Sequence, residues 1–268
     1  MSGKLTFIKR LRPLLFYPQI LTFHKILPEF TFGSTNYSPH RLDLLLASLL
    51  EIGYCFEALD ITIANQNPKQ IAITFDDGYA HLVRYLPPLI DKYGIQPTVF
   101  VLTGYLGKAN RWDYSYFFKE TRHLSKQEIL TLASQGVKFG SHGHRHLNLS
   151  ENNKSFIKNE LRESKNILED LLGYKITAIS YPFGQANEKV IETAAKCGYQ
   201  SGFTMAFPSP TDRPLARGRL TVYGFDSRLA VHQKINRGPL FGLEKFKTEL
   251  THRLSVGTAL FNKIRGFR

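Results

Sequence analysis

The chain has 268 residues, 43% of them hydrophobic, which is enough for one large domain with its own core. Lys and Arg outnumber Asp and Glu 35 to 22, a formal charge of +13. That balance suits either a generally basic protein or one with anionic surroundings, but no recognition helix, zinc finger or aromatic RNP-type motif supports nucleic acid. Two distant cysteines, Cys55 and Cys197, exclude a disulfide framework and a zinc ribbon, and a reducing compartment is the simpler expectation.

In chain order, residues 1–18 read as a basic arm with Lys4, Lys9, Arg10 and Arg12 and no acid. Pro13 and Pro18 interrupt its apolar part and no small-residue cleavage site follows, so it is not read as a signal peptide. No run of about 20 apolar residues predicts a membrane span. The expected location is therefore cytoplasmic, with peripheral contact at the anionic inner membrane face as an option. Gln19 to His24 reads as the first core strand, with His24 at its tip. Pro39 to Gly53 spaces Leu42, Leu45, Leu46, Leu49 and Leu50 as a helix does, and Gly53 ends it. Asn65 to Gln70 is a loop, and Ile71 to Phe75 is a buried strand. Tyr85 to Tyr93 reads as a helix despite Pro87 and Pro88, and Pro97 to Leu102 as a strand of β-formers. A loop from Gly104 to Tyr116 carries the only tryptophan, Trp112, followed by Asp113.

Ser125 with Glu128 three residues on forms a capping box for a helix to Gln135. Val137 to Gly140 then leads into three histidines. Ser155 to Leu172 is a long amphipathic helix closed by Gly173. Ile176 to Ile179 is a strand, Lys189 to Cys197 a helix, Ser201 to Thr204 a strand end, and Arg219 to Val222 the last strand. Strands alternating with helices predict a parallel barrel or sheet. Residues 19–226 are read as that domain. Residues 227–268 mix Lys245, Lys247, Arg253, Lys263, Arg265 and Arg268 with leucines and phenylalanines, read as one or two amphipathic helices outside the barrel. Membrane-surface attachment is the alternative for that extension.

Two stretches carry chemistry. Ile71 to Gly78 is an apolar run ending in two adjacent carboxylates, Asp76 and Asp77. Like charges side by side repel unless a cation is near, although Asp-Gly is also a common turn pair. The second stretch, Val137 to His146, holds His142, His144 and His146. His142 and His146 share a face on a helical turn, whereas His142 and His144 share one on an extended strand. One carboxylate and two imidazoles suit zinc or another divalent metal, with positions left open for water.

Thr74-Phe75-Asp76-Asp77-Gly78 followed by Ser141-His142-Gly143-His144-Arg145-His146 resembles the polysaccharide deacetylase family, also called NodB-homology proteins or carbohydrate esterase family 4. Its motifs are T-F-D-D-G and a pair of histidines about four apart. Gly143 departs from the usual Ser or Thr. The resemblance runs from about Leu21 to Phe225 and implies a single-domain α/β fold, a distorted (β/α)7 barrel, here with a C-terminal helical extension. It further implies that Asp76 is the general base and that Asp77, His142 and His146 bind the metal, most simply zinc, with cobalt, nickel or manganese as alternatives. Ser180-Tyr181-Pro182-Phe183-Gly184 matches the Pro-aromatic-Gly part of a third motif, but Ser180 stands where arginine is usual. A subgroup acting on poly-N-acetylglucosamine shares this Tyr-Pro-aromatic-Gly pattern and supplies the arginine from a later strand. Arg219 takes that role here, with Arg217 as runner-up.

The same subgroup uses an early histidine as general acid, and Leu21-Thr22-Phe23-His24 resembles its strand, so His24 is assigned the acid. His232 sits in an expected helix and is set aside. The Tyr181 backbone N–H is expected to hold the oxyanion. Trp112, Pro182 and Phe183 are expected to wall a sugar site, and His144 and Arg145 to be neighbours rather than ligands. The implied activity is metal-dependent removal of N-acetyl groups from N-acetylglucosamine-type sugars of a cell-surface glycan or a lipid-linked precursor. A same-fold deformylase, or another hydrolase of non-peptide amides, is the alternative; a non-catalytic glycan-binding or membrane-surface module is the alternative of another class.

Overall fold

The computed structural model describes residues 17–28, 34–65, 67–110 and 121–264, with side chains to residue 253. Strands β1 (Gln19–Phe23) and β3 (Gln70–Phe75) are buried at every position and pair in parallel from Gln19–Ile71 to Phe23–Phe75. Continuous burial is what parallel strands covered on both faces require. The other strands are β2 (Cys55–Phe56), β4 (Thr98–Val101), β5 (Lys138–Ser141), β6 (Ala178–Ser180), β7 (Ser201–Phe203) and β8 (Leu220–Thr221). The order is β7-β6-β5-β4-β3-β1-β8, with β2 paired to β3 and every named strand pairing parallel. The sheet curls into the incomplete seven-strand barrel that the motifs imply.

Helices α1 (Pro39–Glu51), α2 (Leu59–Asn65), α3 (Leu82–Tyr93), α4 (Lys126–Ser134), α5 (Lys154–Leu172) and α6 (Glu188–Lys196) connect the strands. Their ends follow from local chemistry. Ser38 caps α1, Asn153 caps α5 and Asn187 caps α6, each side chain accepting an N–H from the first turn. The capping box of Ser125 and Glu128 is present. α3 begins three residues earlier than the sequence reading, at Leu82. It tolerates Pro87 and Pro88 because Leu82, Leu86 and Leu89 are buried along one face. β2 and α2 are too short to leave a periodic signal.

The core has two layers. Leu45, Leu46, Leu49, Leu86, Ile129, Leu161 and Val190 pack between helices and sheet. Ile20, Ala72, Phe100 and Phe203 fill the barrel interior. Side chains alternate across a strand, so the interior column of β1 runs Ile20, Thr22, His24 and that of β3 runs Ala72, Thr74, Asp76. Apolar contacts thus close one end and polar groups reach the C-terminal tips, where an α/β barrel does its chemistry.

Two further helices follow, α7 (Arg228–Asn236) and α8 (Phe241–Ile264). Val231 and Ile235 of α7 join the main core. The domain boundary expected at residue 226 falls beside a buried pair. Lys234 Nζ lies 2.5 Å from Asp226 Oδ2 and donates to the Thr221 carbonyl at 3.0 Å. Asp226 Oδ2 also accepts the Tyr223 N–H. This ties α7 to the end of β8. Lys234→Met is expected to destabilise the fold by about 3–5 kcal/mol, because it strands a buried carboxylate. Urea unfolding of K234M beside K234M/D226N checks this, since the double variant should recover part of the loss. No described helix is long and apolar enough to cross a membrane.

Candidate metal centre

β3 delivers both carboxylates, and the backbone then sends them apart. Asp76 N–H still donates to the Phe23 carbonyl at 2.9 Å, in register with β1. Asp77 and Gly78 follow with φ of 68° and 62°. Two left-handed residues in succession turn Asp77 away from the barrel axis. A Cβ on Gly78 would lie 2.5 Å from Val101 Cγ1, so only glycine fits. Asp77, His146 and Phe183 are three of the four non-glycine residues with positive φ among the described residues. Such strain gathers where the fold holds a functional constellation.

β5 ends at Ser141, and the chain turns through Gly143 at φ 80° before His146 at φ 55°. His142 and His146 therefore meet across a loop, on neither the helical turn nor the extended strand that their spacing allowed. One ligand atom from each of Asp77, His142 and His146 lies within 4.8 Å of the others, and all three residues are buried. His144 is turned elsewhere: its Nδ1 shares a hydrogen bond with Thr103 Oγ1 at 2.9 Å. Arg145 donates to Glu160 from its backbone and its guanidinium.

The donor chemistry of the three residues calls for a cation. His142 Nδ1 is 2.8 Å from the Ser180 carbonyl. A carbonyl only accepts, so Nδ1 carries the proton and Nε2 presents its lone pair. That lone pair faces Asp77 Oδ1 at 3.2 Å, with His146 Nε2 at 3.6 Å from the same oxygen. Asp77 Oδ1 is buried without a hydrogen-bond partner. Burial alone would raise the Asp77 carboxyl, but His142 and His146 hold it far below the usual range. Burial lowers His142, yet Asp77 and Asp76 leave it raised. Acceptors converging on one point, with carboxyl and imidazole both biased toward a positive charge there, fit a divalent metal. His123 adds support by donating from Nδ1 to the Asp77 carbonyl at 2.8 Å.

Asp76 sits in a separate network. Arg219 Nη1 reaches its Oδ1 at 2.9 Å and Nη2 its Oδ2 at 2.7 Å, a two-pronged pair. Ser180 Oγ donates to Oδ2 at 2.9 Å and accepts from Arg219 Nη2 at 2.8 Å. The guanidinium lies over the rings of Phe100 and Phe203, 5.6 and 5.7 Å from their centroids. Burial pushes the Asp76 carboxyl up, but Arg219 and His142 more than offset this and hold it at about 2.

His24 lies at the tip of β1, buried, with no hydrogen-bond partner at Nδ1. Burial lowers its pKa, and the charges of Asp77 and Asp76 work against that. Tyr181 requires a correction. Its N–H donates to the Phe203 carbonyl at 3.0 Å in the β6–β7 pairing, so it is not open to an oxyanion. The turn it begins still borders the site: Phe183 packs on His146 with ring centroids 4.5 Å apart, and Pro182 approaches Gly143. Trp112 and Asp113 lie outside the described residues. Arg219, not Arg217, takes both Asp76 oxygens. His232 faces Ser48 on α1.

Three neighbours of the site left no sequence signal. The Ser180 hydroxyl reads only as a missing arginine. His123 stands in an irregular stretch. His252, on α8, donates from Nε2 to the Phe183 carbonyl at 2.7 Å, from a helix with no motif.

A family profile described as polysaccharide deacetylase matches residues 64–202. YxkH of Bacillus subtilis is 31% identical over 136 residues, which are 51% of this chain and 44% of that protein. A poly-β-1,6-N-acetyl-D-glucosamine N-deacetylase of Staphylococcus aureus is 29% identical over 146 residues, 51% of this chain and 48% of its own. The match thus spans less than half of either relative. Among solved structures, the Streptococcus pyogenes deacetylase PplD in complex with acetate superposes with TM-score 0.70 at 22% identity, over 82% of this chain and 98% of that one. IcaB from Ammonifex degensii gives 0.65 at 19% identity, over 82% and 96%. Both show the same fold.

Proposed function

Because this chain belongs to the polysaccharide deacetylase family, we propose that it is a metal-dependent hydrolase removing N-acetyl groups from N-acetylglucosamine-type sugars of a surface polysaccharide or its precursor. The observation that carries this reading is the buried convergence of Asp77, His142 and His146 within 4.8 Å beside a separately paired carboxylate. The S. aureus relative's poly-β-1,6-N-acetyl-D-glucosamine activity supports the sugar class. Asp77, His142 and His146 would hold the metal, zinc being the simplest choice for this donor set. When bound, such an ion polarises a carbonyl and lowers the pKa of water toward about 7.

The chain's own residues do the rest. Asp76 accepts the proton of the attacking water. A carboxylate offers roughly four acceptor sites, and Arg219 and Ser180 fill three of them. One is left for water, in a fixed direction. We assign His24 the proton for the departing amine because it ends the interior column of β1 next to Asp76 on β3, with Nδ1 unpaired. Burial holds its pKa below the ordinary value, and Asp77 and Asp76 oppose this only in part. Pro182 and Phe183 would wall the sugar beside His146.

The test is elemental analysis of purified protein together with acetate release from N-acetylglucosamine oligosaccharides and lipid-linked N-acetyl sugars. The expected result is about one divalent ion per chain, acetate release, and loss of both after chelation with recovery on adding zinc. Protein that binds none of zinc, cobalt, nickel or manganese would refute the metal. Formate from N-formyl sugars without acetate from N-acetyl ones would move the substrate.

A further inference from the structure

As far as residue 253, α8 is apolar on the side that faces away from the protein. Its inner side carries Phe241 edge-on to Phe207, the buried Glu244 and Thr248, and His252 bonded to Phe183. On the opposite side Leu243, Phe246 and Leu250 are 55%, 62% and 47% exposed. At 3.6 residues per turn these three share about 60° of arc. Lys247 lies over the ring of Phe225, itself about half exposed, which widens the apolar area toward the loop before α7. In the sequence the same spacing continues at Leu254 and Phe261. Single exposed leucines are ordinary, but a contiguous stripe of this kind marks a contact surface.

The charge around the stripe selects its partner. Arg253 is exposed about 20° from the edge of the stripe at helical spacing, and Arg228 is exposed three residues beyond Phe225. Lys245 lies further round and pairs with Glu249 at 3.7 Å, and Arg237 stacks on Phe241 of the inner side. Pairing with a second copy stripe to stripe would offer the two flanking arginines no free acid, because Glu249 is already held by Lys245. An anionic lipid surface meets both features at once: apolar side chains enter the headgroup boundary and basic ones meet phosphates. We propose that the outer face of α8 docks this protein on an anionic membrane surface. The stripe lies on the helix whose inner side holds the Phe183 turn, so docking would seat the site close to lipid-linked sugars. The docking itself does not depend on the deacetylase reading, and its test reads no activity.

The test is co-sedimentation of full-length protein with phosphatidylcholine vesicles, with and without phosphatidylglycerol. Wild type should pellet with the anionic vesicles and lose that binding as salt rises. Phe246→Ser with Leu250→Ser should weaken it by at least about tenfold, and Arg253→Glu by at least about fivefold. Circular dichroism and the melting curve of each variant should match wild type. Wild type staying in the supernatant would overturn the proposal, as would a serine variant that folds and binds as wild type does. A wild-type dimer in sedimentation equilibrium that the serine variant dissociates would give the face to a second copy instead.

Discussion

Asp76→Asn is expected to cut kcat for deacetylation by about 10²–10⁴-fold while the metal content stays at the wild-type level. The two halves of that outcome rest on different residues. The proposed metal ligands are Asp77, His142 and His146, a set that does not include Asp76. The proposed proton acceptor is Asp76, whose two oxygens are held by Arg219 and Ser180. Asparagine keeps the shape but cannot take a proton. Measuring metal, melting temperature and kcat on one preparation separates the roles. A variant that binds metal, folds and retains kcat within a few-fold would place the base elsewhere. A variant that loses its metal would show that the two networks are coupled through the barrel tip. Asp76 sits at about 2 in the intact site, so it is ionised at any pH near neutrality. The acid limb of the wild-type rate should therefore follow protonation of the metal-site histidines and not of this base.

Strands and helices were legible because their signals are local. The apolar run of residues 71–75, the capping box at Ser125 and Glu128 and the closing Gly173 each fix an element from neighbouring residues alone. The grouping of Asp77, His142 and His146 was legible because these residue types are rare and clustered in the sequence. How His142 and His146 meet was not, since four-residue spacing favours a helical turn and the chain instead uses left-handed conformations at Gly143 and His146. The Tyr181 N–H was misassigned for a related reason. Whether a backbone donor is free depends on where the neighbouring strand ends, and β7 extends far enough to take it. Arg219 was reachable because the loss of an arginine at Ser180 left a buried carboxylate in need of a cation. His252 was not reachable, since nothing in α8 indicates that its inner edge meets the Phe183 turn.

Arg219→Met is expected to destabilise the fold by about 3–5 kcal/mol at neutral pH and to weaken catalysis as well. Arg219 and Asp76 are both almost fully buried, so solvent does not screen their pairing. Methionine fills much of the space over Phe100 and Phe203 but leaves the carboxylate with Ser180 and no guanidinium. Burial, which already pushes Asp76 up, would then prevail, and its pKa should rise from about 2. The sign of the pH effect follows. In wild type the folded value is depressed below the ordinary 3.8, so the stabilisation is complete above that value and is lost as pH falls through about 2. The gap between wild type and R219M should therefore be widest near neutrality, begin to narrow as pH falls through the raised carboxyl of R219M, and finish narrowing by about pH 2. The rate of R219M should gain an acid limb at higher pH than wild type, because its base must now compete with protonation. Arg219→Lys retains the charge without the two-pronged geometry and should fall between the two. A stability gap unchanged across that window would mean that Arg219 serves through its packing on Phe100 and Phe203, with its charge on Asp76 contributing nothing measurable.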